Sequence, residues 1–117
     1  MIAAVNEEEG IGPTLRDLRK YLSGSNFLVV DGFSKDKTAK IATRLGTQVI
    51  CRECNGKVDA LAYAINNITG DYDYVVFIDA DYTYPAEFLP LMIKTMQEKQ
   101  AVGMVCGNRF NSNYPTI

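Results

Sequence analysis

Tyr74-Val75-Val76-Phe77-Ile78-Asp79-Ala80-Asp81 is the most hydrophobic strand-like run of the chain, and it ends in two carboxylates. A short apolar run closed by charge in this way reads as a buried strand with a polar carboxyl end. Beyond it, Pro85 suits the opening of a helix whose apolar positions are Phe88, Leu89, Met92 and Met96. Upstream, Val58, Leu61, Ala62, Ile65 and Ile68 recur at three- and four-residue spacing, which predicts a helix over 58–68 that Gly70 ends.

The same alternation extends outward in both directions. Strands are expected at Ile2–Val5, Phe27–Val30 and Thr47–Cys51. Helices are expected from Pro13 through Leu15, Leu18 and Leu22, and through Ala39, Ala42 and Leu45 to Gly46. Ala101–Cys106 reads as a fifth strand, and the stretch from Gly107 to Ile117 as a loop. Strands separated by helices favour parallel pairing with right-handed crossovers. The fold class expected is therefore α/β, a three-layer α/β/α arrangement with a mostly parallel sheet in the order 3-2-1-4 and the fifth strand at or near one edge.

The chain has 117 residues, 47% of them hydrophobic and 22% charged, which is room for one domain spanning 1–117. Twelve Lys and Arg against fourteen Asp and Glu leave a formal net charge of −2, spread along the chain, so no duplex nucleic acid is expected as partner. No apolar run approaches the roughly 20 residues that cross a bilayer, and no basic start leads into an apolar stretch; a cytoplasmic location is expected. Three cysteines and no export signal favour reduced thiols. Cys51 and Cys54 have the spacing of half a zinc site, but the chain has no histidine and Cys106 is distant in sequence.

In open parallel sheets ligands bind outside the carboxyl ends of the strands. Those ends carry Asn6 and Glu7, Asp31, Asn55-Gly56-Lys57, Asp79 with Asp81, and Asn108 with Arg109. Two carboxylates so close together repel, and a divalent cation relieves them. Few hard oxygen ligands with room for water suit Mg²⁺ or Mn²⁺ shared with a diphosphate. Lys57, opening a helix after a glycine, would place positive charge and free N–H groups towards phosphate.

Taken in order, Val5-Asn6-Glu7, Val29-Val30-Asp31 with Ser34, Asp36 and Thr38, Asn55-Gly56-Lys57, Phe77-Ile78-Asp79-Ala80-Asp81 with Pro85, and Gly107-Asn108-Arg109 resemble the successive motifs of family 2 glycosyltransferases. The branch most similar is that of the dolichyl-phosphate mannose or glucose synthases. The resemblance implies a Rossmann-like GT-A nucleotide-binding domain that moves a hexose from a nucleotide-sugar donor of the GDP-mannose or UDP-glucose type to a polyprenyl phosphate. It implies that Val5, Asn6 and Glu7 flank the nucleotide, that Asp31 hydrogen-bonds the base, and that Lys57 lies near ribose or phosphates. Asp79 would touch the ribose or the metal shell, Asp81 would be the principal metal ligand, and Asp81 and Arg109 would be the catalytic residues. A lipid acceptor implies work at the cytoplasmic face of a membrane.

Where the family usually reads Asp-Asp-Gly-Ser-Thr-Asp-Gly-Thr, this chain reads Asp31-Gly32-Phe33-Ser34-Lys35-Asp36-Lys37-Thr38, without the second acid or both loop glycines. That departure bears on base recognition or on the loop conformation. Thr83 and Tyr84 follow the Asp-x-Asp where the lipid-phosphate branch commonly has Gln and an acid. The family also continues past the Gly-Asn-Arg segment with an acceptor-binding half, so this chain is expected to be the nucleotide-binding half. An uncovered sheet edge gives such a half reason to self-associate.

Other readings compete with this one. A non-catalytic nucleotide-sugar-binding module would share every feature except turnover. A haloacid-dehalogenase-like phosphotransferase would use Asp79 as nucleophile and Asp81 as acid/base. A nucleotidyltransferase lacks a phosphate loop here, since Gly10-Ile11-Gly12-Pro13 is too short a signal.

Overall fold

The computed structural model describes residues 1–108, in two compact units, Met1–Glu87 and from Phe88 onward. The first unit holds β1 (Ile2–Ala4), α1 (Ile11–Tyr21), β2 (Leu28–Asp31), α2 (Thr38–Arg44), β3 (Gln48–Cys51), α3 (Lys57–Asn67) and β4 (Ile78–Asp79). A 3-10 turn at Ala86–Phe88 leads into α4 (Leu89–Glu98).

All strand pairs are parallel, and their order is β3-β2-β1-β4, as the alternation predicts. The register sets Ala4 beside Asp31 and Asp31 beside Cys51, with Ala3 beside Asp79. Every strand of the sheet therefore delivers its carboxyl end to one rim.

Side chains alternate across the pleat, and the two faces bury different helices. On one face Leu28 and Val30 pack with Ala60 and Ala64 of α3, joined by Ala3 and Ile50. The opposite face carries Ile2, Ala4 and Val29 towards the side of α1 and α2, where Ile11, Leu15, Leu18 and Ala42 are buried. This is the expected three-layer order. Ala60 and Ala64, one turn apart, let α3 approach the sheet closely. The turn from α2 to β3 is a Schellman motif: Thr47 N–H donates to Ala42 O and Gly46 N–H to Thr43 O, with Gly46 at φ +69°.

The structure departs from the sequence expectations in several places, one being that Pro85 stands ahead of the 3-10 turn and α4 opens only at Leu89. Helix α1 begins at Ile11, so Pro13 is its third residue rather than its first. That position still lies in the first turn, where a missing N–H leaves no bond unmade. The fourth strand is only Ile78–Asp79, because its ladder with β1 opens at the Ile2 and Ile78 pair. Ahead of that pair the Met1 ammonium donates to Val76 O at 2.7 Å. Ala101–Cys106 forms no strand; it is coil with Met104 exposed.

Candidate active site

Four loops meet at the carboxyl rim of the first unit, and side-chain bonds fix two of them to each other. Asp31, the last residue of β2, is 2% exposed. Its two carboxylate oxygens accept from Ser34, Oδ2 from the N–H at 3.0 Å and Oδ1 from the hydroxyl at 2.5 Å. The same Ser34 hydroxyl accepts from Asn6 N–H at 2.8 Å. A second relay repeats the pattern: Thr38 Oγ1 donates to Asp36 Oδ1 at 2.5 Å and accepts from Glu7 N–H at 2.8 Å. Glu8 N–H donates to Asp36 Oδ2, and Lys35 and Lys37 N–H return bonds to the side chains of Asn6 and Glu8.

These bonds answer the loss of glycine in the β2–α2 loop. Phe33 takes φ +59° without being a glycine, and Asn6 takes φ +54° on the facing loop. Left-handed backbone costs a side-chain-bearing residue about 1–2 kcal/mol, so these conformations persist because Ser34, Asp36 and Thr38 over-determine the loop. A Cβ on Gly32 would stand 2.6 Å from a methyl of the exposed Val5 side chain, which would have to turn aside.

The Asp79-Ala80-Asp81 segment is fixed from the other side by α1. A Cβ on Gly10 would lie 2.5 Å from Ala80 O and 2.7 Å from Asp81 Cα, so backbone approaches backbone there. Thr14 Oγ1 donates to Ala80 O at 3.2 Å in the buried interior. Asp81 then closes a tight turn, its Oδ1 accepting from Thr83 N–H at 3.1 Å and Thr83 Oγ1 at 2.7 Å. Tyr82 between them sits at φ +61°.

Electrostatics join the loops. Glu7 has its pKa raised above the ordinary 4.5, first by burial and then by the Asp81, Asp36 and Asp79 carboxylates facing it. Lys57, the first residue of α3 after Gly56 at φ +86°, reaches back to form an ion pair with Asp79.

The sequence-predicted residues Glu7, Lys57, Asp79 and Asp81 are thus brought together, with Asn6 in the relay behind Glu7. Val5 is exposed on the same rim. Asp31 is placed behind the rim with both oxygens engaged by Ser34. Arg109 lies outside the described residues. Sequence reasoning gave no role to Gly10 or Thr14; the only available signal was a glycine just before a helix. Cys51 and Cys54 are free thiols raised above their ordinary 9.0 chiefly by burial.

The donor set fits a shared cation rather than a closed cage. Among the described residues no group of three or more acidic, Cys or His side chains is arranged to hold a metal. Asp81 offers exposed carboxylate oxygen at the rim, and Glu7, whose pKa is raised first by burial and then by the Asp81, Asp36 and Asp79 carboxylates, stands among like charges there. A hard divalent ion that keeps waters and takes its remaining ligands from a diphosphate matches this arrangement.

Comparison with known proteins places the chain in a family. The profile described as Glycosyl transferase family 2 matches residues 1–116. The dolichyl-phosphate hexose transferase of Haloferax volcanii is 33% identical over 118 residues, covering 100% of this chain and 50% of that protein. Glucosyl-3-phosphoglycerate synthase from Mycobacterium tuberculosis in complex with uridine diphosphate superposes with a TM-score of 0.71 at 28% identity, over 85% of this chain and 39% of that one. The same synthase with Mn²⁺, UDP-glucose and phosphoglyceric acid gives a TM-score of 0.67 at 27% identity, over 81% and 37% of the two chains. The chain spans half the length of its Haloferax relative. With its parallel β3-β2-β1-β4 sheet and its polar carboxyl rim, this chain belongs to the family 2 glycosyltransferases.

Proposed function

We propose that this chain forms the donor-binding half of a hexosyltransferase that takes a nucleoside diphosphate sugar, with Mg²⁺ or Mn²⁺, and passes the hexose to a polyprenyl phosphate. The observation that carries the reading is the convergence of Glu7, Asp79 and Asp81 with Lys57 on one rim of a parallel sheet. The Mn²⁺ and UDP-glucose in the mycobacterial synthase support the donor class, and the name of the Haloferax relative supports the acceptor class.

Asp81, the more exposed of the two carboxylates, is the residue assigned to the cation, with Asp79 towards the ribose or the metal shell. A bound divalent ion supplies charge to the departing diphosphate. Lys57 adds an ammonium for the phosphate oxygens, and the Asp31–Ser34–Asn6 relay holds the loop on which the nucleoside lies. A lipid phosphate is already an anion and needs little general-base help, which suits a chain without histidine. This assignment implies work at the cytoplasmic face of a membrane. Arg109 is assigned to the acceptor or the leaving diphosphate.

Calorimetric titration of GDP, UDP and their mannose and glucose conjugates, with and without Mn²⁺, tests the reading on wild type and Asp81→Ala. Metal-dependent binding of one nucleotide, lost in the variant, is expected. Absence of binding by every nucleotide sinks it. Binding without hexose transfer to a polyprenyl phosphate favours the non-catalytic module instead.

A further inference from the structure

Lys57 is the cation that faces the rim carboxylates in an ion pair, and its partner is Asp79 rather than solvent. Its side chain is 53% exposed while that of Asp79 is 27% exposed, so the lysine is the more accessible partner of the pair. Gly56 at φ +86° starts α3 with open space around it, so the helix start on which Lys57 stands is uncrowded. A lysine is a compact charge on a flexible stem, able to exchange partners without moving its backbone.

Resting on the donor-site reading above, we propose that Lys57 is the resident counter-ion of the carboxylate rim and transfers from Asp79 to the diphosphate when the nucleotide arrives, so that cation and nucleoside diphosphate are taken up together. The charges set the direction. With Lys57 on Asp79, a free divalent ion meets a positive neighbour. It also finds Asp81 with one oxygen already accepting from Thr83. A nucleoside diphosphate changes both conditions, because its oxygens complete the ion's ligands and draw the ammonium away. Lys57 therefore opposes the ion alone and favours the ion with its nucleotide.

Opposite signs in one variant test this. Free Mn²⁺ is followed by its electron paramagnetic resonance signal, and UDP and GDP binding in Mn²⁺ by calorimetry, on wild type, Lys57→Gln and Lys57→Arg. Lys57→Gln is expected to bind Mn²⁺ alone roughly tenfold more tightly and the nucleotide with Mn²⁺ roughly tenfold more weakly, while Lys57→Arg stays near wild type. Wild type binding ion and nucleotide, with both affinities falling in Lys57→Gln or neither changing, overturns the counter-ion role and leaves the donor site standing. Wild type binding neither overturns both. Circular dichroism of each variant confirms that the helix start has not unravelled.

Discussion

Gly10 and Asp81 touch backbone to backbone: a Cβ on Gly10 would stand 2.7 Å from Asp81 Cα. The residue that opens α1 is thereby the gauge that sets the height of the Asp-x-Asp turn above the sheet. Its own φ of −87° is open to any residue, so the constraint is space alone.

Gly10→Ala should accordingly cost about 1–3 kcal/mol, as overpacked interiors do, and displace Asp81. Thermal unfolding measures the first effect, and Mn²⁺-dependent nucleotide binding the second. A variant with unchanged melting and binding would mean that the contact relaxes freely.

Thr38 is fully buried and works in both directions at once, donating to Asp36 and accepting from Glu7 N–H. Thr38→Val keeps its shape and loses both bonds, leaving a part-buried N–H without a partner. A loss of about 1–3 kcal/mol in urea unfolding is expected, with most of it recovered in Thr38→Ser.

Phe33 is held at φ +59° with its ring exposed. Phe33→Gly removes left-handed strain of about 1–2 kcal/mol and loses part of it to chain entropy. A net stabilisation of about 0.5–1 kcal/mol is expected at the urea midpoint, and a destabilisation would show that the ring packs against something in solution.

Glu7 gives a pH dependence of definite sign. Its folded pKa is raised above 4.5, so the folded state binds the proton more tightly than the unfolded chain. Its contribution therefore becomes less favourable as pH rises through the window above 4.5. Glu7→Gln should be more stable than wild type at pH 7, and the advantage should vanish as pH falls below about 4.5. Unfolding midpoints of the two proteins across pH 4 to 8 check it, and a gain that grows towards acid would contradict it.

The sheet order and the rim were legible because they follow from patterns that a chain carries locally. Val29 and Val30 before Asp31, and Ile78 before Asp79, mark the carboxyl ends of buried strands, and the helical spacing of α3 marks it as the crossover between β3 and β4. Strand length was not legible. Tyr74–Phe77 and Ala101–Cys106 are as apolar as strands, but a strand also needs a neighbour in register. Tyr74, Val75, Phe77 and Met104 are exposed instead. The polar carboxyl rim was legible as a set of residue types. Its lacing was not, since a serine or threonine in a polar loop gives no sign of the distant N–H it will meet. Asn6 and Ser34 are separated by 28 residues and Glu7 and Thr38 by 31.

The lacing of the β1–α1 loop to the β2–α2 loop also bears on how such a chain can be redesigned. Backbone N–H groups of each loop are capped by side chains of the other, so neither is a self-sufficient part. Positions 6–8 and 31–38 form a single cassette, to be grafted whole into a related scaffold or left alone. Lys35 and Lys37 contribute their backbone N–H to it, so their side chains are the natural handles for recolouring the rim without unpicking the weave.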